Sequence, residues 1–244
     1  WISENSPRRC GISSFGIGGT NCHMVLEEAP ACLPAVRKAE DPGILILPLS
    51  AKNMHALRQL AKEYRTALDE TAGDRIRDFC YSAGTGRGHY RYRLAIVAWN
   101  REELISKFDQ MLMKADGFDM IDGVYFGSHR VVSGERAVSG DGDLTADRKD
   151  EINRSAALAA DRWLMSGKTD MEAAGDLCRQ YVKGADIDWS GLYREDGLFK
   201  TELPGYPFSK ERCWVEMPLA INEEQDHADY YYRLAWIKEQ SIVN

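Results

Sequence analysis

The chain has 244 residues, 44% hydrophobic and 28% charged, which suits one or two small packed domains. A formal net charge of −7 argues against nucleic acid as a partner; no apolar run approaches bilayer length, and no signal peptide precedes the opening Trp1, so a fragment of a longer cytoplasmic polypeptide without a membrane span is expected. Six cysteines (Cys10, Cys22, Cys32, Cys80, Cys178 and Cys213) form no CxxC pair and no metal-ligand spacing, so reduced, mostly packed thiols and no metal are expected.

Cys10 to Pro30 reads as strand, glycine turn and strand. Ile12 to Phe15 and Cys22 to Leu26 are short and apolar enough for buried strands. Between them, Gly16, Ile17, Gly18, Gly19, Thr20 and Asn21 form a turn in which Gly18 is expected at positive φ. Three familiar sites fail there. A dinucleotide fingerprint needs glycine where Asn21 stands, and a helix after it. A Walker loop needs Gly-Lys-Ser/Thr, and a nucleophile elbow needs glycine where Phe15 stands. On the residues alone, an ordinary tight hairpin accounts for the turn.

Ala31 to Pro42 carries Pro34 and Pro42, directly after Pro30, and reads as a connector at a domain boundary. Gly43 to Leu49 is predicted as a buried strand whose Pro48 drives its end toward an edge, with Ser50 capping the following helix. That helix carries Met54, Leu57, Leu60, Ala61, Tyr64, Ala67 and Leu68 at helical spacing. A second helix spans about Asp74 to Ala83, with Ile76, Phe79, Cys80 and Ala83 inward and a stop at Gly84 and Gly86. Arg91 to Trp99 reads as a central strand. Asn100 and Glu103 cap a helix bearing Leu104, Ile105, Phe108, Met111 and Leu112, and Gly123 to Gly127 is a third strand. The order β-α-α-β-α-β predicts a small three-stranded sheet with helices packed on it, a mixed α/β (α+β) fold. Arg87, His89 and Arg93 invite a phosphate-site reading, but a glycine-punctuated turn with solvated charges explains them better.

Ser128 to Glu151 is polar and reads as a mobile loop. Two helices follow. The first, about Glu151 to Ser166, turns Ile152, Ala156, Ala159 and Trp163 inward and ends at Gly167; the second, from Asp170, buries Met171, Ala174, Leu177, Cys178 and Tyr181 before Gly184. Pro204 and Pro207 hold an extended strap on which Tyr206, Phe208 and Trp214 are expected anchors. Residues 217–229 read as an acidic linker, and Tyr230 to Trp236 as the first strand of a further domain.

The run Arg8-Arg9-Cys10-Gly11-Ile12-Ser13-Ser14-Phe15-Gly16-Ile17-Gly18-Gly19-Thr20-Asn21-Cys22-His23 closely resembles the C-terminal end of the ketosynthase domain of modular polyketide synthases. Only Cys22 departs, from a small residue. The resemblance implies the last hairpin of a thiolase-type fold, with the loop Gly16 to Asn21 beside the reactive cysteine and the Ile17 N–H helping to hold the thioester oxyanion. Residues 47–52, 81–87 and 92–98 resemble the subdomain that flanks such ketosynthases. Tyr181 to Trp189 and Leu203 to Phe208, with Cys213-Trp214, resemble the linker that follows an acyltransferase and returns to the ketosynthase.

What the resemblance implies is therefore divided along the chain: 1–30 the ketosynthase hairpin, 31–42 a connector, 43–127 the flanking subdomain, 128–193 a loop and two helices in place of an acyltransferase, 194–216 the strap, and 217–244 the linker to the next domain. The stretch from about Ser128 to Tyr181 is too short for an acyltransferase and lacks G-x-S-x-G, which points to the trans-acyltransferase type of assembly line. Cys10 and Cys22 do not match the family's nucleophile, and His23 matches neither of its histidines, so no catalytic residue is expected here. The implied role is structural, within a parent that condenses acyl chains carried on the phosphopantetheine of an acyl carrier protein; no cofactor of the chain's own is implied. Implied partners are the ketosynthase body and the carrier protein. A free-standing acyltransferase, and lateral self-association through Leu158, Trp163, Leu164 and Met165, stand as the alternative role.

Overall fold

The computed structural model describes residues 6–29, 43–113, 118, 121–131, 143–194 and 197–213. Residues Trp1–Pro207 form one compact unit and Phe208–Asn244 a second, described only over 208–213. The expected connector, acidic linker and terminal strand lie outside the described residues, as do Cys32 and Trp214.

Strands β1 (Arg9–Phe15) and β2 (Asn21–Glu27) pair antiparallel in the register Arg9↔Glu27 to Phe15↔Asn21. The hairpin is where the sequence places it, but its burial is not. Every residue of both strands is exposed, apolar side chains included. Apolar content marks a face suited to being covered; burial itself requires a second layer, and none covers these strands among the described residues.

The sheet at the centre is antiparallel, in the order β3 (Leu45–Ala51), β4 (Tyr92–Ala98), β5 (Val124–Ser128). Pro48 is tolerated because β3 is an edge strand and loses no second ladder. Alternation divides the sheet's side chains between two cores. Leu45, Leu47, Leu49, Leu94 and Ile96 meet helices α1 (Met54–Glu70), α2 (Ile76–Thr85) and α3 (Arg101–Met113) on one face. Ile46, Ala95 and Val97 meet α4 (Ala146–Met165) and α5 (Met171–Lys183) on the other. Burial on both faces explains why these strands read as unbroken apolar runs, which an antiparallel sheet with one wet face would not need.

The helical stripes fall where expected, and three boundaries move for identifiable reasons. Asn53, not Ser50, caps α1, its side chain accepting from the Ala56 N–H at 2.8 Å. Ser50 stays in β3, donating to the Gly88 carbonyl and accepting from the Tyr90 N–H. Helix α2 runs through Gly84 to a cap at Gly86. Gly84 is needed for closeness: a Cβ there would lie 2.9 Å from the indole of Trp189, which opens the short helix α6 (Trp189–Leu192). Helix α4 begins at Ala146, earlier than expected, because Thr145 caps it. Of the polar stretch before it, the described part is not loop throughout: β6 (Arg130–Val131) and β7 (Asp143–Leu144) pair in parallel.

Candidate functional site

The glycine turn is closed by two main-chain bonds, Gly16 N–H to the Thr20 carbonyl and Gly19 N–H to the Gly16 carbonyl, each 2.9 Å. The residue at positive φ is Gly19, at 86°, and not Gly18. This is the pattern of a three-residue hairpin loop, a tight turn ended by one left-handed residue. Ile17 stands at the tip, fully exposed, and its N–H has no partner among the described residues. Asn21 is the first residue of β2, opposite Phe15.

Hairpin register brings together one pair that a motif search misses. Ser13 and His23 face each other, with Ser13 Oγ 2.8 Å from His23 Nδ1. A hairpin folded about Gly18 places them opposite, so the signal was present once the turn was assigned. A serine beside an imidazole is half of a nucleophilic arrangement, but among the described residues no carboxylate bonds the ring's other nitrogen.

Arg87, His89 and Arg93 do not form a phosphate site, and only Arg87 lies in an exposed turn as expected, His89 being half-buried. Arg93 is only 3% exposed. Its Nη1 donates to the carbonyls of Tyr181 (2.9 Å) and Ala185 (2.6 Å), its Nε donates to that of Tyr90, and its guanidinium lies 4.7 Å from the centre of the Tyr181 ring. It collects carbonyls freed at the end of α5, where a cation is favoured. His89 is bonded at both nitrogens, Nε2 to the Gly84 carbonyl at 2.9 Å and Nδ1 to the Tyr181 hydroxyl at 2.7 Å. A carbonyl can only accept, so Nε2 carries the proton and Nδ1 accepts from the phenol. Burial, reinforced by the Arg93 charge, holds the imidazole below its ordinary value. These donors are committed to protein carbonyls, which leaves no fork for an anion.

The strap from Phe199 to Tyr206 is held chiefly through its main chain. Asp78 and Ser82 of α2, 1% and 2% exposed, accept the N–H groups of Phe199 and Thr201, each at 2.8 Å. Helical neighbours four apart are about 6 Å apart along the axis and extended residues two apart are about 6.6 Å, so one helix face matches alternate N–H groups of an extended chain. Arg87 Nη2 donates to the carbonyls of Leu203 and Pro204, and the Lys52 N–H donates to the Tyr206 hydroxyl at 2.9 Å. Tyr206 packs on the first core and edge-on to Tyr90. Phe208, in the second unit, is 76% exposed. Of the three expected aromatic anchors only Tyr206 is seen packed, Phe208 being exposed and Trp214 outside the described residues, and the polar holds were not foreseen, since a buried Asp on a helix reads as an ordinary surface charge.

On α4, Leu158, Leu164 and Met165 are exposed, whereas Trp163 is fully buried against Tyr193 and takes no part in that surface. Cys80 and Cys178 are buried free thiols, and burial pushes both upward, Cys80 to about 12, which makes them inert at neutral pH. Among the described residues no group of acidic, His or Cys side chains could hold a metal ion, and no helix is long and apolar enough to cross a membrane.

Residues 45–108 match the family described as CurL-like, PKS C-terminal. Polyketide synthases PksN and PksM of Bacillus subtilis (strain 168) are each 34% identical to the chain, over 87% and 92% of its length. The matched regions are 4% and 5% of those two proteins, so the chain spans a small part of the relatives it matches. Among solved structures, the ketosynthase from module 6 of the bacillaene synthase of Bacillus subtilis 168 superposes with a TM-score of 0.53 at 26% identity, covering 88% of this chain and 33% of that one. The ketosynthase from module 1 of the bacillaene synthase of Bacillus amyloliquefaciens FZB42 gives 0.53 at 26%, over 84% and 31%.

Proposed function

We propose a non-catalytic role for this chain, which belongs to the trans-acyltransferase polyketide synthases as the region around the C-terminal portion of a ketosynthase. The hairpin completes the wall of that ketosynthase and presents the Ile17 N–H to its acyl thioester, while the body over residues 43–207 spaces the ketosynthase from its neighbours. The parent condenses acyl chains delivered on an acyl carrier protein. The observation that carries this reading is the contrast in burial. The central sheet is covered on both faces, yet the hairpin exposes apolar side chains on both of its own, Ile12, Met24 and Leu26 on one and Phe15 and Val25 on the other. Such a hairpin suits a place between two layers of another body.

Mass spectrometry of the purified chain with a reactive acyl thioester tests the non-catalytic part. No stable acyl adduct and no turnover are expected, and acylation of Ser13 or any cysteine at a catalytic rate would contradict the reading. A second reading is favoured by the exposed Leu158, Leu164 and Met165: a surface for lateral association or for a free-standing acyltransferase. Sedimentation of the intact parent at rising concentration, with and without Leu158→Glu and Met165→Glu, decides it. Concentration-dependent assembly beyond the basal state, lost in the variant, is its expected result; a pull-down with a free acyltransferase tests the other partner.

A further inference from the structure

The hairpin carries apolar residues on both faces, so its hydrophobic pattern does not select one register over the next. A one-residue slip would exchange one apolar face for the other. The three-residue turn sets the pairing, and contacts between the strands must hold it. Near the open end Arg8 pairs with Glu28 and Arg9 with Glu27, long exposed side chains that tolerate a shift. Nearer the turn stands the Ser13 Oγ to His23 Nδ1 bond, between short side chains directly opposite one another, two residues from the last ladder pair, Phe15↔Asn21. The imidazole lies against Gly11, where a Cβ would meet its Cε1 at 3.4 Å and its Nε2 at 3.8 Å, ordinary contact distances. Ser13 and His23, with the ring lying on Gly11, thus form a clasp across the observed register.

We propose that Ser13 and His23 are positioning residues for the ketosynthase reaction. Their cross-strand bond holds the register set by the turn, and so steadies the Gly16 to Asn21 loop, and with it the Ile17 N–H, at the thioester oxyanion. This rests on the reading of that loop given above. An oxyanion donor works only within a few tenths of an ångström of its place, so a clasp in the strands acts on turnover without touching substrate.

The test is steady-state condensation by the intact parent synthase carrying Ser13→Ala, His23→Ala, both together, or His23→Asn, whose amide can occupy the Nδ1 position. Expected are a loss of about ten- to a hundred-fold in kcat for either alanine variant with KM changed less than about two-fold, no further loss in the double variant, and recovery of most of the activity in His23→Asn. Wild-type kcat in His23→Ala, losses that multiply in the double variant, or an equal loss in His23→Asn would overturn the proposal. Gly19→Val serves as the control for the loop itself. If it leaves condensation intact, the reading of the loop fails; if it abolishes condensation while Ser13→Ala does not slow it, the clasp alone fails.

Discussion

Single residues decide whether the turn and the buried polar knot hold. Gly19 sits at φ 86°, a region closed to β-branched residues, so Gly19→Val should open the turn. In the intact parent, condensation should fall by about a hundred-fold or more, while thermal unfolding hardly moves because the turn is exposed. A parallel loss of melting temperature would place the defect in folding instead. His89 supplies a second prediction. Its folded-state value is depressed from 6.5, so the native state favours the neutral ring that accepts from Tyr181, with Gly84, Arg93, Asp186 and Trp189 as its other neighbours. The sign follows: the unfolded chain binds the extra proton first, so stability is full above 6.5 and lost as pH falls toward the folded-state value. His129, pushed down to about 4 by burial and by Arg93 and Lys149, adds to the loss over the same side. Thermal melts from pH 7.5 down to pH 4.5 should therefore show a steepening decline that His89→Gln flattens; identical profiles would refute the role of the neutral ring.

At the scale of elements, the strap is attached through two buried acceptors on α2. Asp78→Ala strands the Phe199 N–H and should cost about 1 to 3 kcal/mol in urea unfolding; Asp78→Asn, which keeps an acceptor oxygen, should cost clearly less, since the Arg75 partner is half exposed and adds little. Limited proteolysis should cut between Phe199 and Tyr206 in the alanine variant first. Equal resistance in both variants would mean that side-chain packing, not main-chain recognition, holds the strap. What could be read in advance follows from what sequence encodes. The stripe Leu57, Leu60, Ala61, Tyr64 and Leu68 is periodic and local, and so was legible, as was Asn100 with Glu103 at the head of α3. The positive φ of Gly19, the early start of α4 and the pairing of Asp78 with a residue 121 positions away were not, because each depends on geometry that composition leaves open.

Over the described residues the molecule comprises a sheet clothed on both faces and a hairpin clothed on neither. Sequence made the sheet's strands legible through their unbroken apolar runs, but not that α4 and α5 supply the second layer, since an amphipathic helix pair carries no label for the face it covers. Gly84→Leu probes that packing at the junction of α2 with α6; overpacking against Trp189 should lower stability by about 1 to 3 kcal/mol, and an unchanged melt would place Trp189 elsewhere. If the chain is a flanking region whose hairpin belongs to a larger ketosynthase, as proposed, the hairpin gains its protection only within that parent. Amide hydrogen exchange, followed in this chain alone and in the intact parent, tests it most directly. Residues 44–49 and 94–98 should be protected in both, whereas residues 9–27 should exchange rapidly in the chain alone and become protected in the parent. A hairpin equally protected in isolation, or still unprotected in the parent, would contradict it.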